Sequence, residues 1–301
     1  MRHINRAPKL PPRGADGQKG LFGRVLIVGG SDDMLGAPVL AGAAALRTGS
    51  GLVQVAMPRE MLAAGLTVVP ELIGLGLDDS LASTQTLLQM AQKADCLAIG
   101  PGLGQSKSIG QRINALILLE KPIVIDADAL NYLSSLDHWP VPFNARAVLT
   151  PHPGEMKRLI KLIGRTEVPT DDAGRIELAA EAARAFGQVV LLKGHRTVVT
   201  DGTKYYLNHT GDSSLSKAGA GDVLSGILAS LIGQGMPPFD AACAAAHLHG
   251  RAGELAGEKL GRRCVLARDV IEAISVALRD KNANAIEPPR RQDAKAGKYA
   301  K

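Results

Sequence analysis

From Arg24 onward, short apolar runs alternate with longer segments in which apolar residues recur at helical spacing. The runs RVLIVGG ending at Gly30, LVQVAM ending at Met57, CLAIG ending at Gly100, IVIDAD ending at Asp128, AVLT ending at Thr150 and VVLLKG ending at Gly194 are continuous, with little polar alternation. Such runs suit strands covered on both faces. Residues 37–47, 81–93, 106–119, 154–163 and 172–186 read as the helices between them. The alternation predicts an α/β fold with an open, mostly parallel sheet flanked by helices on both faces. After Lys193 the rhythm changes. Asp201-Gly202 between two short strand-like runs predicts a hairpin and an antiparallel edge, followed by helices over 222–234, 240–256 and 268–278.

A chain of 301 residues with 46% hydrophobic content can bury a substantial core. The pattern places one domain over 21–280, with a flexible segment at 1–20 and a disordered basic tail at 281–301. The net charge of +6 suggests an anionic partner only until it is located. Residues 1–20 and 279–301 each carry a net +4, which leaves a body of net −2. Aromatic residues make up 3% of the chain and offer no stacking platform for bases, so nucleic acid is not the expected partner. Cys96, Cys243 and Cys264 are odd in number, far apart and in no C-x-x-C pair, which fits a reducing compartment. No signal-like or membrane-spanning run is present, and a cytoplasmic protein is expected.

Ligands of open parallel sheets collect beyond the C-terminal ends of the strands. There this chain puts Gly29-Gly30-Ser31, Gly100-Pro101-Gly102-Leu103-Gly104, Asp126-Ala127-Asp128, the segment from Thr150 to Glu155 with His152 inside it, and Lys193-Gly194-His195-Arg196-Thr197. Taken singly, each has an ordinary explanation: Asp126 as a helix cap, His152 as a loop histidine, Lys193 as a solvated strand end. The sharpest signal is KAGAGDVLSGIL from Lys217 to Leu228. Gly219, Ala220 and Gly221 leave the backbone amides uncovered just before an apolar helix, the geometry of an anion hole, with Lys217 nearby. Asp222 at its mouth is placed to take a proton from an attacking hydroxyl. A Walker A loop is absent, and GPGLG lacks the spacing of a dinucleotide fingerprint. Phosphoryl transfer at such a site calls for magnesium held through phosphates and water, near Glu155.

The GAGD before an apolar helix resembles the anion-hole motif of ribokinase-like enzymes, in which the aspartate is the base. The ordered series of GRVLIVGGSDDMLGAP, AIGPGLG, DADALN, LTPHPGE, LLKGHRTVV and GAGDVLSG, within residues 18–256, is similar to ADP/ATP-dependent NAD(P)H-hydrate dehydratases. The resemblance implies a cytoplasmic repair lyase that uses ADP, or ATP, to remove water from NADH or NADPH hydrated at C6 of the nicotinamide. The 6-hydroxyl would be phosphorylated and the ring nitrogen would then expel phosphate. By matching position, Asp222 is the base, and Ala37, Gly102, His152 and Asp222 meet the hydrated dinucleotide. Lys193, Gly194, His195, Arg196, Thr197 and Gly221 meet the nucleotide. Gly219, Ala220 and Gly221 form the anion hole, and Glu155 organises Mg2+ indirectly.

The resemblance further implies a homotetramer and a separate epimerase for the hydrate's two C6 forms, since the 20 residues before Leu21 are too few for a fused one. Two departures stand out. Gln18 replaces a common histidine, and the stretch Asp212–Asp222 keeps only the Gly-Asp pair of the family's usual pattern. Two other readings share the anion hole: a ribokinase-like kinase of a small alcohol or vitamin precursor, and a nucleotide-binding sensor without turnover.

Overall fold

The computed structural model describes residues 1–105 and 107–279. The expected disordered tail at 281–301 lies outside these residues. A ten-stranded sheet runs through the molecule in the order β1-β10-β9-β8-β7-β6-β5-β2-β3-β4. The strands are β1 (Arg2–Ile4), β2 (Arg24–Val28), β3 (Leu52–Pro58), β4 (Ile73–Leu77), β5 (Cys96–Ile99), β6 (Pro122–Ile125), β7 (Arg146–Leu149), β8 (Val189–Leu192), β9 (Val198–Thr200) and β10 (Lys204–Leu207). From β2 to β8 every pairing is parallel. Strand β9 is antiparallel to both β8 and β10, the edge expected around Asp201-Gly202. The mostly parallel α/β sheet with an antiparallel edge is therefore as expected.

The helices are α1 (Gly36–Thr48), α2 (Leu62–Val68), α3 (Leu81–Lys93), α4 (Lys107–Ile117), α5 (Ala127–Ser134), α6 (Pro153–Leu159), α7 (Asp172–Phe186), α8 (Ala220–Gly233), α9 (Pro238–Leu260) and α10 (Ala267–Arg279). They divide between the two faces of the sheet. Val25 and Ile27 point into one apolar cluster with α1, α8, α9 and α10. Leu26 and Val28 point into the other, with α3 to α7. Two-sided burial explains why the strand runs are continuous in sequence. Helix α8 is apolar around nearly its whole circumference because it is enclosed: from Val223 to Ile232 every residue is buried.

Three expectations are corrected. Residues 1–20 do not begin as a flexible segment: Arg2–Ile4 pairs in parallel with β10, and His3 stacks on Tyr205 with ring centroids 4.7 Å apart. The run IVIDAD is not strand throughout, because β6 stops at Ile125 and α5 begins at Ala127. Helix α6 ends at Leu159 and gives way to a 3-10 turn over Ile160–Ile163. The pattern also misses β1, α2, β4 and α5. Among the described residues, no helix is long and apolar enough to cross a membrane.

Strands β2 and β5 are neighbours although β3 and β4 intervene in the chain, so the strand order reverses between them. A crevice opens at such a reversal. Helices α1 and α8 meet beneath it at very close range: a Cβ on Gly226 would lie 2.1 Å from the Ala41 carbonyl oxygen and 2.9 Å from the Ala44 Cβ. The obstacle is backbone, which cannot turn aside. Gly226→Ala is therefore expected to destabilise the fold by about 1–3 kcal/mol through overpacking. Thermal melting reads this as a lowered Tm, and a Tm equal to wild type would contradict the packing described.

Candidate active site

The segments that follow β6, β7 and β8 at the C-terminal edge contribute to one polar cluster. Asp126 occupies the N-cap position of α5, yet its carboxylate makes no capping bond. It instead accepts from Lys193 Nζ at the end of β8 (2.6 Å) and from Ser225 Oγ on α8 (2.6 Å). Ala127 follows with φ of 45°, a left-handed conformation uncommon for a residue with a side chain, which turns the chain sharply into the helix. Asp126 is 2% exposed. Burial disfavours its charge, but the Lys193 charge, with hydrogen bonds from Lys193 and Ser225, outweighs this and holds its pKa below the usual carboxylate value. Burial likewise works against the Lys193 ammonium, and the Asp126 and Glu155 carboxylates reverse the balance, raising its pKa. The pair is thus ionised on both sides.

Asp222, in the first turn of α8, faces the same cluster. Burial, with repulsion from Asp126 added and attraction to Lys193 opposing, pushes its pKa up to about 7. A carboxylate held near neutrality is poised to exchange a proton. Lys193 Nζ lies 3.5 Å from where a Cβ on Gly221 would sit, so the cation stands beside the helix terminus. Lys217, expected near the anion hole, is exposed, and Lys193 takes the position beside Gly221.

The three anion-hole residues differ in what they do. The Ala220 amide donates to the Lys217 carbonyl (3.3 Å) and the Val223 amide to that of Gly219, leaving those of Gly221 and Asp222 without a main-chain partner among the described residues. Gly219 adopts φ of +88° at the N-cap, and a Cβ there would meet Leu40 and Ala267 within 3 Å; it turns the backbone. Ala220 and Gly221 line a cavity of about 600 Å³ together with all of Lys193–Thr197. The pattern did not single out Thr210, Asp212, His249 and Arg262, which share that cavity. Thr210 and Asp212 lie in the loop after β10, His249 on α9 and Arg262 in the loop after α9, with no motif of their own. Only proximity after folding marks them.

Gly102 and Ala37 are brought together at the sheet crevice, where a Cβ on Gly102 would lie 3.0 Å from that of Ala37. A second cavity of about 430 Å³ opens beside them, lined by Gly30, Asp32, Leu103, Gly104 and Arg112 among others. His152 caps α6: its Nδ1 accepts from the Gly154 and Glu155 amides (2.9 and 3.4 Å), while Glu155 Oε2 accepts from the His152 amide (2.8 Å). This reciprocal box commits one Glu155 oxygen to the backbone. Burial foremost, then Asp126, raises the Glu155 pKa against the pull of Lys193. Among the described residues no group of three or more His, Cys, Asp or Glu side chains is arranged to hold a metal ion. Such a lining suits a hard cation only if ligand phosphates and water supply most of its oxygens.

The sequence model of the NAD(P)H-hydrate dehydratase family matches residues 25–276. The chain is 41% identical to the bifunctional NAD(P)H-hydrate repair enzyme Nnr of Moorella thermoacetica over 287 residues, which cover 90% of this chain and 52% of that protein. It thus spans about half the length of that relative. It is 39% identical to the ADP-dependent (S)-NAD(P)H-hydrate dehydratase of Neisseria meningitidis, covering 83% of this chain and 82% of the relative. A crystal structure of the ADP/ATP-dependent NAD(P)H-hydrate dehydratase of Bacillus subtilis, co-crystallized with ATP/Mg2+, superposes with a TM-score of 0.76 at 30% identity, covering 89% and 93% of the two chains. An Arabidopsis thaliana ribokinase shares the fold alone, with a TM-score of 0.51 at 12% identity over 84% and 98% of the chains. With its ribokinase-like sheet and its match across most of its length, the chain belongs to the NAD(P)H-hydrate dehydratase family.

Proposed function

We propose that the protein dehydrates C6-hydrated NADH and NADPH with a nucleotide as phosphoryl donor, ADP being the preferred one. The observation that carries this reading is Asp222, a carboxylate with pKa near 7 in the first turn of a helix whose Gly221 and Asp222 amides are open, beside the Lys193 ammonium. The hydrated nicotinamide sits between Asp222 and the Ala37–Gly102 contact, with His152 at its edge, and the 430 Å³ cavity provides room for the rest of a dinucleotide. The donor occupies the cavity bounded by Lys193–Thr197, with its transferring phosphate against Gly221.

As Asp222 takes the proton from the 6-hydroxyl, the oxygen forms a bond to phosphorus and the bond to the departing nucleotide breaks. Open amides and Lys193 neutralise charge growing on the phosphoryl oxygens. Phosphate then leaves C6, driven by the ring nitrogen's lone pair, and loss of a C5 proton restores the dihydropyridine. Magnesium would be held by donor phosphates and water, with Glu155 reached through water, and would supply further charge neutralisation. The ADP-dependent Neisseria relative and the ATP/Mg2+ complex of the Bacillus enzyme support the choice of donor and ion. A homotetramer, a cytoplasmic location and a separate hydrate epimerase belong to the same reading. The free thiols of Cys96, Cys243 and Cys264 are in keeping with that compartment.

Asp222→Asn is expected to lower kcat for hydrated NADH by about 10²- to 10⁴-fold, measured by the return of reduced-nicotinamide absorbance with ADP, ATP or neither. A retained phosphorylated product in place of NADH and phosphate would favour the small-alcohol kinase. Its Tm at pH 8 should be equal to or above wild type: the raised pKa means that ionised Asp222 costs stability, a cost absent below the unfolded value and in full force above about 7. A large loss of Tm would instead mark the residue as structural.

The pH profile supplies an independent test. A base must be ionised, so kcat/KM should rise with pH through a midpoint of about 7. In Asp126→Asn, which removes the neighbouring repulsion, the rising limb should move to lower pH. An unmoved limb contradicts the coupling.

A further inference from the structure

The loop proposed to receive the nucleotide is built around a buried cation on another element. Arg175, in the second turn of α7, is 6% exposed, in contrast to the solvated position usual for an arginine. Its Nη1 donates to the carbonyls of His195 (2.6 Å) and Arg196 (3.1 Å), and its Nη2 to those of Leu192 (3.4 Å) and Lys193 (3.3 Å). Four carbonyls from five consecutive residues thus converge on one guanidinium. A planar trans peptide points its N–H opposite to its C=O. With the carbonyls of Lys193, His195 and Arg196 turned inward, the amides of Gly194, Arg196 and Thr197 are turned away from Arg175. Those of Gly194 and Arg196 have no hydrogen-bond partner among the described residues. Successive amides presented to one side form a concave receptor for anions.

Two further features tie this loop to Arg175. Gly194 adopts φ of +142°, and a Cβ there would lie 2.9 Å from Arg175 Nη2, so the loop is wrapped too closely on the guanidinium to admit a side chain. Arg196 is left-handed, with φ of 56°, and its side chain pairs with Asp172, one turn before Arg175 on the same helix. The first turns of α7 therefore hold the loop by both main chain and side chain. Burial lowers the Arg175 pKa from the ordinary arginine value while Asp172 opposes this; a guanidinium starts so far above neutrality that it remains a cation there. No carboxylate is hydrogen-bonded to it among the described residues, so its charge faces the loop and what lies beyond.

We propose that Arg175 is a positioning residue for the nucleotide: it turns the Lys193–Thr197 backbone so that amides face the donor, and it sets a fixed positive charge behind them. The proposal rests on the reading of that loop as the nucleotide site. Calorimetric titration of the full chain with ADP and Mg2+, and separately with NADH, tests it. Arg175→Lys keeps the charge but cannot reach four carbonyls, and should weaken ADP about tenfold; Arg175→Met should weaken it about 10²-fold, the scale of a displacement near an ångström. The dissociation constant for NADH should stay within about twofold in both, since Arg175 does not touch that side of the site. Gly194→Ala, which intrudes on the guanidinium from the loop, should also weaken ADP selectively and decides the matter if Arg175→Met fails to fold.

ADP affinity unchanged in folded Arg175→Lys and Gly194→Ala, or NADH affinity falling by the same factor as ADP, overturns the proposal. Hydrogen exchange on the wild type separates the two levels. If ADP protects the amides of 194–197 and the variants still bind normally, the role of Arg175 alone is wrong; if ADP protects none of them, the nucleotide reading falls too.

Discussion

The site depends on one buried ion pair. Asp126 and Lys193, 67 residues apart in the chain, meet at 2.6 Å where β6, β8 and α8 converge, with Ser225 completing the carboxylate's bonds. A buried pair of this kind contributes little net stability once desolvation is counted, but removal of either partner strands the other. Its value here is in what it arranges. The ammonium is fixed beside Gly221 at the open start of α8, and the carboxylate's negative charge is fixed where it raises the pKa of Asp222. In the proposed reaction the same two charges would serve the acceptor side and the donor side of the phosphoryl transfer.

A parallel sheet suits this arrangement because each strand delivers its following loop to the same edge. The residue after β6, the capped start of α6 after β7 and the loop after β8 bring Asp126, Glu155 and Lys193 within electrostatic reach of one another, and α8 closes the cluster with Asp222. The close approach of α1 and α8 at Gly226 sets how near that helix terminus stands to the sheet. The loop after β8 is then shaped from behind by α7. Its carbonyls accept from Arg175 while the amides of Gly194 and Arg196 have no partner among the described residues, just as the Gly221 and Asp222 amides at the start of α8 have no main-chain partner among them.

Much of this fold is legible from pattern because strands buried on both faces cannot alternate. The elements that escape do so for local reasons. Strand β4 reads IGLGL, with two glycines interrupting the run and Ile73 left exposed at the sheet edge. Helix α5 follows β6 with no glycine or proline to announce it, since Ala127 itself takes the left-handed turn. At the site, residues within one motif are readable: Gly221 and Asp222 before an apolar helix, and the five residues from Lys193 to Thr197. Partnerships across the chain are not. Asp126 has the signature of a helix cap and acts as a counterion. Arg175 sits in a polar-looking helix and is buried. Glu155, expected as an ion organiser, closes a capping box that His152 disguises, because histidine is not among the usual capping residues.

The central claim is that burial and the Asp126 charge keep Asp222 half-protonated near neutrality while Lys193 remains beside it. Carbon-detected NMR titration of the aspartate side chains, with Asp222 assigned from the Asp222→Asn spectrum, measures this without reference to turnover. The account predicts that the Asp222 carboxyl titrates with a midpoint of about 7. A midpoint at the ordinary aspartate value of 3.8 would show an unperturbed surface carboxylate and would contradict it.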